Sequence, residues 1–335
     1  MPLHQTIGIG ERAFGLVPTA TQVVNDEIAI DYDAGNYATR ELTRFQPITD
    51  LFFMLTGGIT VGTANATALK PYGALNLVKE LAVLLNNDYY LMKLPGKVLG
   101  ILSQWYDKHK GQAVDPGLTQ ASHPIKHGLH FPVDSGGFYS CLDAAAANSL
   151  MVQCLWGQAS DVLTPDSTTT LAVDSGTKLK ISSHALSGYP AGAPGGLNYG
   201  YARHMWQFNN HAIPSVGENR FVLNKARLYS GLAMFVTNDS GAPSDDVLSK
   251  VKLQIGTTVI KTHDLEKLRD KNMRKYNFTD SDLTGVYLLD WGAEEHLEQQ
   301  QSITGGQDME IVYDAGAAGD IVFVHDYYIA PTLKR

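Results

Sequence analysis

The sequence predicts an all-β protein that contains two tandem β-sandwiches, and three observations support this prediction. Short apolar runs separated by turn residues fill most of the chain. The order of strands and one helix in residues 48–183 recurs, in a shorter form, in residues 225–330. A chain of 335 residues is also long enough for two hydrophobic cores. The repeat lies in the pattern and not in identical residues.

The clearest repeated element is a pair of strands joined by a tight turn. In the first copy, Asn86-Asn87 separates two apolar runs within residues 79–94. In the second copy, Gly256-Thr257 separates the runs within residues 250–263. Asparagine and glycine tolerate the left-handed backbone that two-residue hairpin turns require. Both stretches are therefore predicted to be hairpins.

A short amphipathic helix follows each hairpin. Pro95-Gly96 marks the start of the first helix, and Asp264 is the predicted N-cap of the second. Apolar residues recur at helical spacing in both segments. The predicted buried faces contain Val98, Leu102 and Trp105 in the first helix, and Leu265, Leu268 and Asn272 in the second.

Further strands flank the two hairpin–helix units. Upstream, Ile48–Val61 is predicted to be a strand pair broken at its Gly-Gly step, and Lys225–Thr237 is its counterpart. Downstream, three strands in each copy follow in the same order. The matching segments are 128–133 with 285–291, 148–156 with 309–313, and 178–182 with 321–326.

The composition along the chain suggests four parts. In the third part, residues 186–222, glycine and proline disfavour regular structure, whereas the aromatic residues disfavour simple disorder. We interpret this part as an ordered linker that packs against another surface. The parts are an extended N-terminal arm or leading segment (1–45), the first sandwich (46–185), the linker (186–222), and the second sandwich with the C-terminal tail (223–335).

Two further connections are long for a compact β domain. They are Asp107–His127 and Gly157–Thr168, which are rich in Gly, Pro, Asp, Ser and Thr. Loops of this length usually carry functional surfaces. Both are therefore candidate interaction surfaces.

The charge of the chain argues against nucleic-acid packaging through its own basic groups. The net charge is −8. The first 40 residues contain five acidic residues and only Arg12 and Arg40 as basic ones. Phosphate binding needs clustered lysine and arginine. We expect no direct sequence-specific binding of nucleic acid.

The sequence also favours folding in a reducing compartment. Met1–Gly10 lacks the charged start and apolar run of a signal peptide. No stretch approaches the roughly 20 apolar residues of a membrane span. Cys141 and Cys154 have no metal-binding spacing and are predicted to be buried thiols. These features predict synthesis and folding in a cytoplasm.

Few residues carry a pattern typical of catalysis or metal binding. His127 and His130 are three apart at a predicted strand, where such residues point to opposite faces, so a shared metal is not expected. Ser183, His184 and Asp174 have the residue types of a hydrolytic triad without its demonstrated geometry. Nucleotide-loop and metalloprotease motifs are absent from the sequence. We predict no enzyme activity, no catalytic residues, no metal and no cofactor.

Four stretches of the chain carry a resemblance to a known family. They are Ile48–Val61 followed by Asn76–Asp88, Ser149–Leu163, Asn219–Asn238, and Lys275–Trp291. In these stretches and in its repeat, the chain resembles the double-jelly-roll major capsid proteins of icosahedral bacteriophages, chiefly those with an internal membrane. The resemblance covers most of the chain from about residue 45 onward. It is one of pattern, because no catalytic signature defines this family.

The resemblance implies a fold and a role. Each copy would be an eight-stranded jelly roll, and three chains would form a pseudo-hexameric trimer that tiles an icosahedral shell. The protein would then lie in the virion capsid after assembly in the host cytoplasm. Penton proteins, minor capsid proteins and an internal membrane are further partners that the resemblance allows. Candidate inter-subunit contacts are the linker aromatics Tyr199, Tyr201, Trp206 and Phe208.

Two other functions compete with the shell protein. A carbohydrate-binding tandem β-sandwich, such as a spike or lectin-like protein, could use the aromatic and polar residues of Gly195–His211. A two-domain metal enzyme of the bicupin type requires a strand-borne H-x-H motif, which this sequence lacks. The shell protein is the favoured interpretation.

Overall fold

Strands dominate the part of the chain that the structure, a computed structural model, describes. The described residues are 22–24, 28–44, 46–133, 141–142, 144, 147–186, 203–224, 227–291, 301–302 and 308–329. The first thirteen strands are β1 Gln22–Val24, β2 Ile28–Asp31, β3 Tyr37–Glu41, β4 Ile48–Gly62, β5 Ala68–Leu69, β6 Val78–Leu85, β7 Tyr89–Leu94, β8 Ala113–Val114, β9 Ala121–Pro132, β10 Leu150–Trp156, β11 Leu163–Thr164, β12 Thr170–Val173 and β13 Lys178–Leu186.

The other described elements are nine more strands, three α-helices and two 3₁₀-helices, Gly73–Leu77 and Ser281–Leu283. The strands are β14 Arg203–Ala212, β15 Gly217–Val222, β16 Leu228–Asn238, β17 Leu248–Ile255, β18 Thr258–Asp264, β19 Val286–Asp290, β20 Gln301–Ser302, β21 Met309–Ala315 and β22 Gly319–Ile329. The helices are α1 Gly96–Asp107, α2 Ala159–Val162 and α3 Leu265–Tyr276.

The chain divides into two compact units. The described residues up to Leu91 and from Val114 to His204 belong to the first unit. Residues Met92–Ala113 and Met205–Ile329 form the second. Each unit contains two antiparallel sheet layers, as predicted for a tandem sandwich.

In the first unit, one layer is a seven-stranded sheet with the order β1-β13-β4-β9-β8, in which β2 also pairs with β13 and β12 with β4. The other layer contains β6, β10 and β3 in that order. Strand β10 alternates strictly between buried and half-buried positions. Its buried side chains are Leu150, Val152, Cys154 and Trp156. This period of two marks a strand with one face on a core.

The first long strand corrects a prediction. Residues Ile48–Gly62 form one continuous strand of 15 residues and not a strand pair broken at the two glycines. A Cβ atom at Gly57 would lie 2.2 Å from Oγ1 of Thr177. Because Gly57 has no side chain, Thr177 of the same chain can approach it closely, and the glycine does not mark a turn. Likewise, β16 is a single strand where a pair was predicted.

In the second unit, a four-stranded sheet has the order β15-β21-β17-β18, and the other layer contains β19, β16, β22 and β14. Aromatic side chains from the two layers meet in the core. The rings of Phe221 and Phe323 stack with centroids 4.2 Å apart. Nε2 of His211 lies 2.6 Å from the Tyr313 hydroxyl. These contacts join β15 to β22 and β14 to β21.

The predicted hairpin turns and helix starts are confirmed. Asn86 and Asn87 have φ values of 56° and 66°, and Gly256 has a φ of 56°. These are the left-handed angles that two-residue hairpins need. At the start of α3, the Asp264 side chain accepts a hydrogen bond from the backbone N–H of Lys267 at 3.2 Å. It caps the helix as predicted.

Helix α1 follows the first hairpin in the chain but packs within the second unit. Its Trp105 ring contacts Tyr276 edge to face at 6.3 Å. Nε2 of Gln104 donates a hydrogen bond to the carbonyl oxygen of Asn277 at 2.8 Å. The buried face of the helix was predicted correctly, but the surface that it covers was not apparent from the sequence.

Four segments that were predicted to be irregular contain regular elements; one is Gly157–Thr168, which contains α2 and β11. In the N-terminal segment, β2 pairs with β13 and β3 pairs with β10, so residues 28–41 belong to the sheets of the first unit. Within residues 186–222, β14 and β15 are regular strands. Strand β9 begins at Ala121, inside the predicted loop that ends at His127. The glycine- and proline-rich residues 188–196 lie outside the described residues, and β14 itself contains neither glycine nor proline.

His325 is a buried polar group in the core of the second unit. It is 1% exposed, and neither ring nitrogen has a hydrogen-bond partner. Its ring lies 5.7 Å from that of Phe221 and 5.9 Å from that of Tyr229. Burial, and then the charge of Arg227, lower the pKa of His325 from 6.5 to about 3. The folded chain therefore holds this imidazole neutral.

We expect acid to destabilise the second unit through His325. Below pH 6.5 the unfolded chain binds a proton at this residue that the folded chain excludes, so stability falls by about 1.4 kcal/mol per pH unit until the folded pKa is reached. The substitution His325→Phe should remove this slope between pH 6 and 4.5, as measured by urea unfolding. His109→Gln, at an exposed histidine of the same unit, is the control. An unchanged slope in the His325 variant would contradict the prediction.

A second prediction concerns the packing of α1. A Cβ atom at Gly231 would lie 2.5 Å from Cη2 of Trp105 and 3.1 Å from the carbonyl oxygen of Leu289. Gly231→Ala should therefore destabilise the protein by about 1–3 kcal/mol through overpacking. Gly316→Ala is the matched control in the same unit, because its Cβ would meet only the Asp246 oxygen, at 3.6 Å. Equal chemical-denaturation midpoints for the two variants would show that Trp105 has room to move.

Candidate functional site

The structure describes two of the four linker aromatics that were predicted to contact other subunits. Tyr199 and Tyr201 lie outside the described residues. Trp206 is 1% exposed on β14, where it pairs in parallel with Met92, so its side chain is covered by its own chain. Phe208 is half-buried on the same strand. Among the described pair, only Phe208 retains surface that another subunit could contact.

Eight large apolar side chains of the described residues are exposed, and this surface was missed by the sequence analysis. They are Tyr37, Leu69, Val114, Leu118, Val216, Val222, Val259 and Ile260. Val222 and Val259 lie on β15 and β18, the two edge strands of the four-stranded sheet. Glu310 and Gln254 lie between them in register across the sheet. One face of this sheet is therefore apolar at both edges.

The same face carries a network of ion pairs. Nζ of Lys252 lies 2.8 Å from the Glu218 carboxylate. Arg220 lies 3.2 Å from Glu310 and 3.6 Å from Glu218. The hydrogen bond from Lys252 and the nearby positive charges lower the pKa of Glu218. Because these pairs are largely exposed, their contribution is to solubility and specificity more than to stability.

The histidines do not form a metal centre in the described part of the chain. His127 and His130 each have a separate carboxylate partner, Asp115 and Asp50, both at 3.0 Å. Nε2 of His123 lies 2.7 Å from the carbonyl oxygen of Thr119. No group of three or more His, Cys, Asp or Glu is placed to hold a metal ion among the described residues.

The residues of the conceivable hydrolytic triad also lie apart. Asp174 accepts hydrogen bonds from Thr60 at 2.7 Å and from Ser122 at 2.9 Å. Nδ1 of His184 lies 4.0 Å from Asp50 instead. Burial acts to raise the pKa of Asp50, but its hydrogen bonds and the nearby histidines lower it overall. Asp174 thus serves the packing of β4 and β9, where its partners Thr60 and Ser122 lie.

The two cysteines are buried, and no disulfide joins them. Burial raises the pKa of the Cys154 thiol well above its usual range, so this thiol stays protonated and weakly nucleophilic. The prediction of buried thiols is confirmed for both residues. In addition, none of the helices in the described ranges has the length and apolar character needed to cross a bilayer.

Comparison with known proteins gives matches to solved structures. The major capsid protein of Sulfolobus Turreted Icosahedral Virus superposes with a TM-score of 0.76 at 16% identity, covering 93% of this chain and 97% of that one. The major capsid protein P2 of bacteriophage PM2 gives 0.61 at 12% identity, covering 94% and 99%. The Faustovirus major capsid protein gives 0.57 at 8% identity, covering 93% and 90%.

No protein-family model matches the sequence, and no curated protein does. The structural matches nevertheless extend over nearly the whole length of both chains in each comparison. At such low identity they establish the fold. Together with the two sandwich units, they show that this chain has the double-jelly-roll fold found in viral major capsid proteins.

Proposed function

We propose that this chain is a structural major capsid protein, whose homotrimers form the pseudo-hexameric tiles of an icosahedral virion shell. One observation carries the proposal. The superposition on the capsid protein of Sulfolobus Turreted Icosahedral Virus covers 93% of this chain and 97% of that protein, so neither has a large domain that the other lacks. The whole chain is thereby accounted for by a shell-forming architecture.

The architecture suits this role physically. A β-sandwich has a rigid two-layer core, and its sides and end loops are available for contacts. Two sandwiches in one chain give a trimer six similar modules, so it approximates a hexagon. Such a trimer closes by cyclic symmetry and leaves its outer faces for neighbouring trimers. We expect an obligate trimer interface of about 2,000 Å² or more.

The proposal includes a location and partners. The protein would reside in the virion capsid, after assembly in the host cytoplasm. Its main partner would be itself, first within the trimer and then between trimers. Penton proteins, minor capsid proteins and an internal membrane are further candidate partners. The net charge of −8 argues against a packaging arm that would bind nucleic acid through basic groups of this chain.

The competing functions receive less support. A sugar-binding site in Gly195–His211 would need exposed aromatics, but Trp206 is buried and its neighbours from Arg203 onward form a strand. A bicupin enzyme would need converging metal ligands, and no group of three or more His, Cys, Asp or Glu among the described residues is placed to hold a metal ion. We therefore propose a non-enzymatic protein without a cofactor. Tyr199, Tyr201 and Phe208 remain proposed inter-subunit contacts.

We expect the purified full-length protein to form a stable trimer that associates into hexagonal sheets or closed particles. Size-exclusion chromatography with light scattering should give about three times the chain mass of 36.5 kDa. Negative-stain electron microscopy should then show tiles with six-fold appearance. A protein that stays monomeric at micromolar concentration, and that binds glycans on an array, would contradict the proposal and favour the carbohydrate-binding alternative.

A further inference from the structure

We propose that a basic patch on the second unit, defined as Lys261, His263, Lys267 and Lys271, binds carboxylates on the surface of a second copy of this chain. The inference rests on the proposed self-assembly and assigns it a contact surface. Strand β18 supplies the first two residues, and the first two turns of α3 supply the others.

The patch is unusual in an acidic chain. Residues 250–275 contain eight lysines and arginines against three acidic residues, a net charge of +5. The whole chain carries −8, so the remaining residues carry −13. Copies of such a chain repel one another on average, and approach is favoured where the lysines of this segment that have no carboxylate partner face acidic surface. The charge distribution therefore offers complementarity between two copies.

His263 shows that the basic groups converge. Helix α3 packs against strand β18, so the lysines of both elements lie near His263. The pKa of His263 is lowered first by burial and then by the positive charges of Lys261 and Lys271. Its Nε2 is buried without a hydrogen-bond partner. On α3, Lys267 and Lys271 are four residues apart and both are exposed, so they lie on one face. The positive charge of the patch therefore comes from Lys261, Lys267 and Lys271, because the half-buried imidazole of His263 is held neutral.

Neighbouring basic residues are already neutralised within the chain, whereas those of the patch are not. Arg269 pairs with Asp245 and Asp280, and Lys275 lies 2.5 Å from Asp290. Arg274 lies 3.1 Å from Asp270. Within the described ranges, no carboxylate lies within 4.0 Å of the ammonium groups of Lys261, Lys267 and Lys271. These three charges remain available to an external partner.

Apolar surface borders the patch. Ile260 directly precedes Lys261 on β18 and is 40% exposed, whereas Val259 lies in register with Gln254 on the opposite face of the sheet from Lys261 and His263. The register of β18 shifts at Ile260, and a lysine follows, two features that oppose pairing of a further strand to this edge. Contact with a partner would therefore use side chains and not backbone hydrogen bonds. A small apolar area beside charged groups is typical of protein–protein interfaces.

The local sequence favours a protein partner over a phosphate-rich surface. Acidic residues are interspersed in the patch, with Glu266 and Asp270 beside Lys267 and Lys271 on the exposed face of α3. A membrane or nucleic acid presents negative charge everywhere and would be repelled by these carboxylates. The surface of a second copy carries acidic and basic groups at separate positions, so its carboxylates can meet the lysines of the patch. Its exposed Asp31 and Asp33 are examples of carboxylates that could do so. Matching charges in this way gives specificity.

The test neutralises the patch and leaves the fold intact. Lys261→Gln, Lys267→Gln and Lys271→Gln are combined in one variant, and Lys70→Gln, Lys126→Gln and Lys178→Gln in a control with the same change of charge. Thermal unfolding verifies that both variants fold. We expect the patch variant to need at least a tenfold higher protein concentration for half-maximal assembly, measured by light scattering. Added salt should weaken wild-type assembly and affect the patch variant less.

The possible outcomes distinguish failure of the proposed shell function from failure of the proposed patch. If the wild type never assembles, the proposed function and this inference both fail. If the wild type assembles and both variants do so equally well, the inference alone is overturned.

Pelleting with vesicles of phosphatidylserine and phosphatidylcholine, and a gel shift with DNA, test whether the patch binds phosphate groups instead. A patch variant that assembles normally but loses either binding would assign the patch to phosphate groups and overturn the second-copy assignment.

Discussion

The burial of apolar faces between two antiparallel sheets is the constraint on which each unit depends. In the second unit, Phe221 and Tyr313 from one sheet meet Phe323 from the other, and His325 lies among these rings. Aromatic rings bury large apolar areas, and they dominate such cores. A core of this kind fixes the sheets rigidly, so the edge strands and loops can vary without loss of the fold.

Local signals predicted the parts of the fold that depend on backbone chemistry. Asn86-Asn87 adopts the left-handed turn that its residue types favour, and Asp264 caps α3. Non-local packing could not be predicted in this way. Gly57 resembles a turn residue, although its role is to admit Thr177, and nothing within α1 indicates which unit it covers. Such contacts join residues far apart in sequence, so a local pattern does not contain them.

The candidate interaction surface illustrates the same limit. Aromatic content pointed to the linker, but Trp206 fills the core of its own chain. Aromatic residues are favoured in cores and in interfaces for the same reason, namely their large apolar area, so composition alone does not separate the two. Solvent exposure distinguishes core residues from candidate interface residues. Val222 and Val259 can be identified as exposed only when the edge strands of the sheet are known. Their spacing in the sequence carried no such signal.

Net charge is likewise a poor guide to local electrostatics. The value of −8 argues against a nucleic-acid arm, yet it conceals a segment of +5 in residues 250–275. Charges act over about 10 Å at 0.1 M salt, so a partner experiences the local group and not the chain average. If the chain assembles as proposed, an acidic surface with an opposed basic patch is physically consistent with that role. Repulsion would keep randomly oriented copies apart, while the oriented encounter would be attractive.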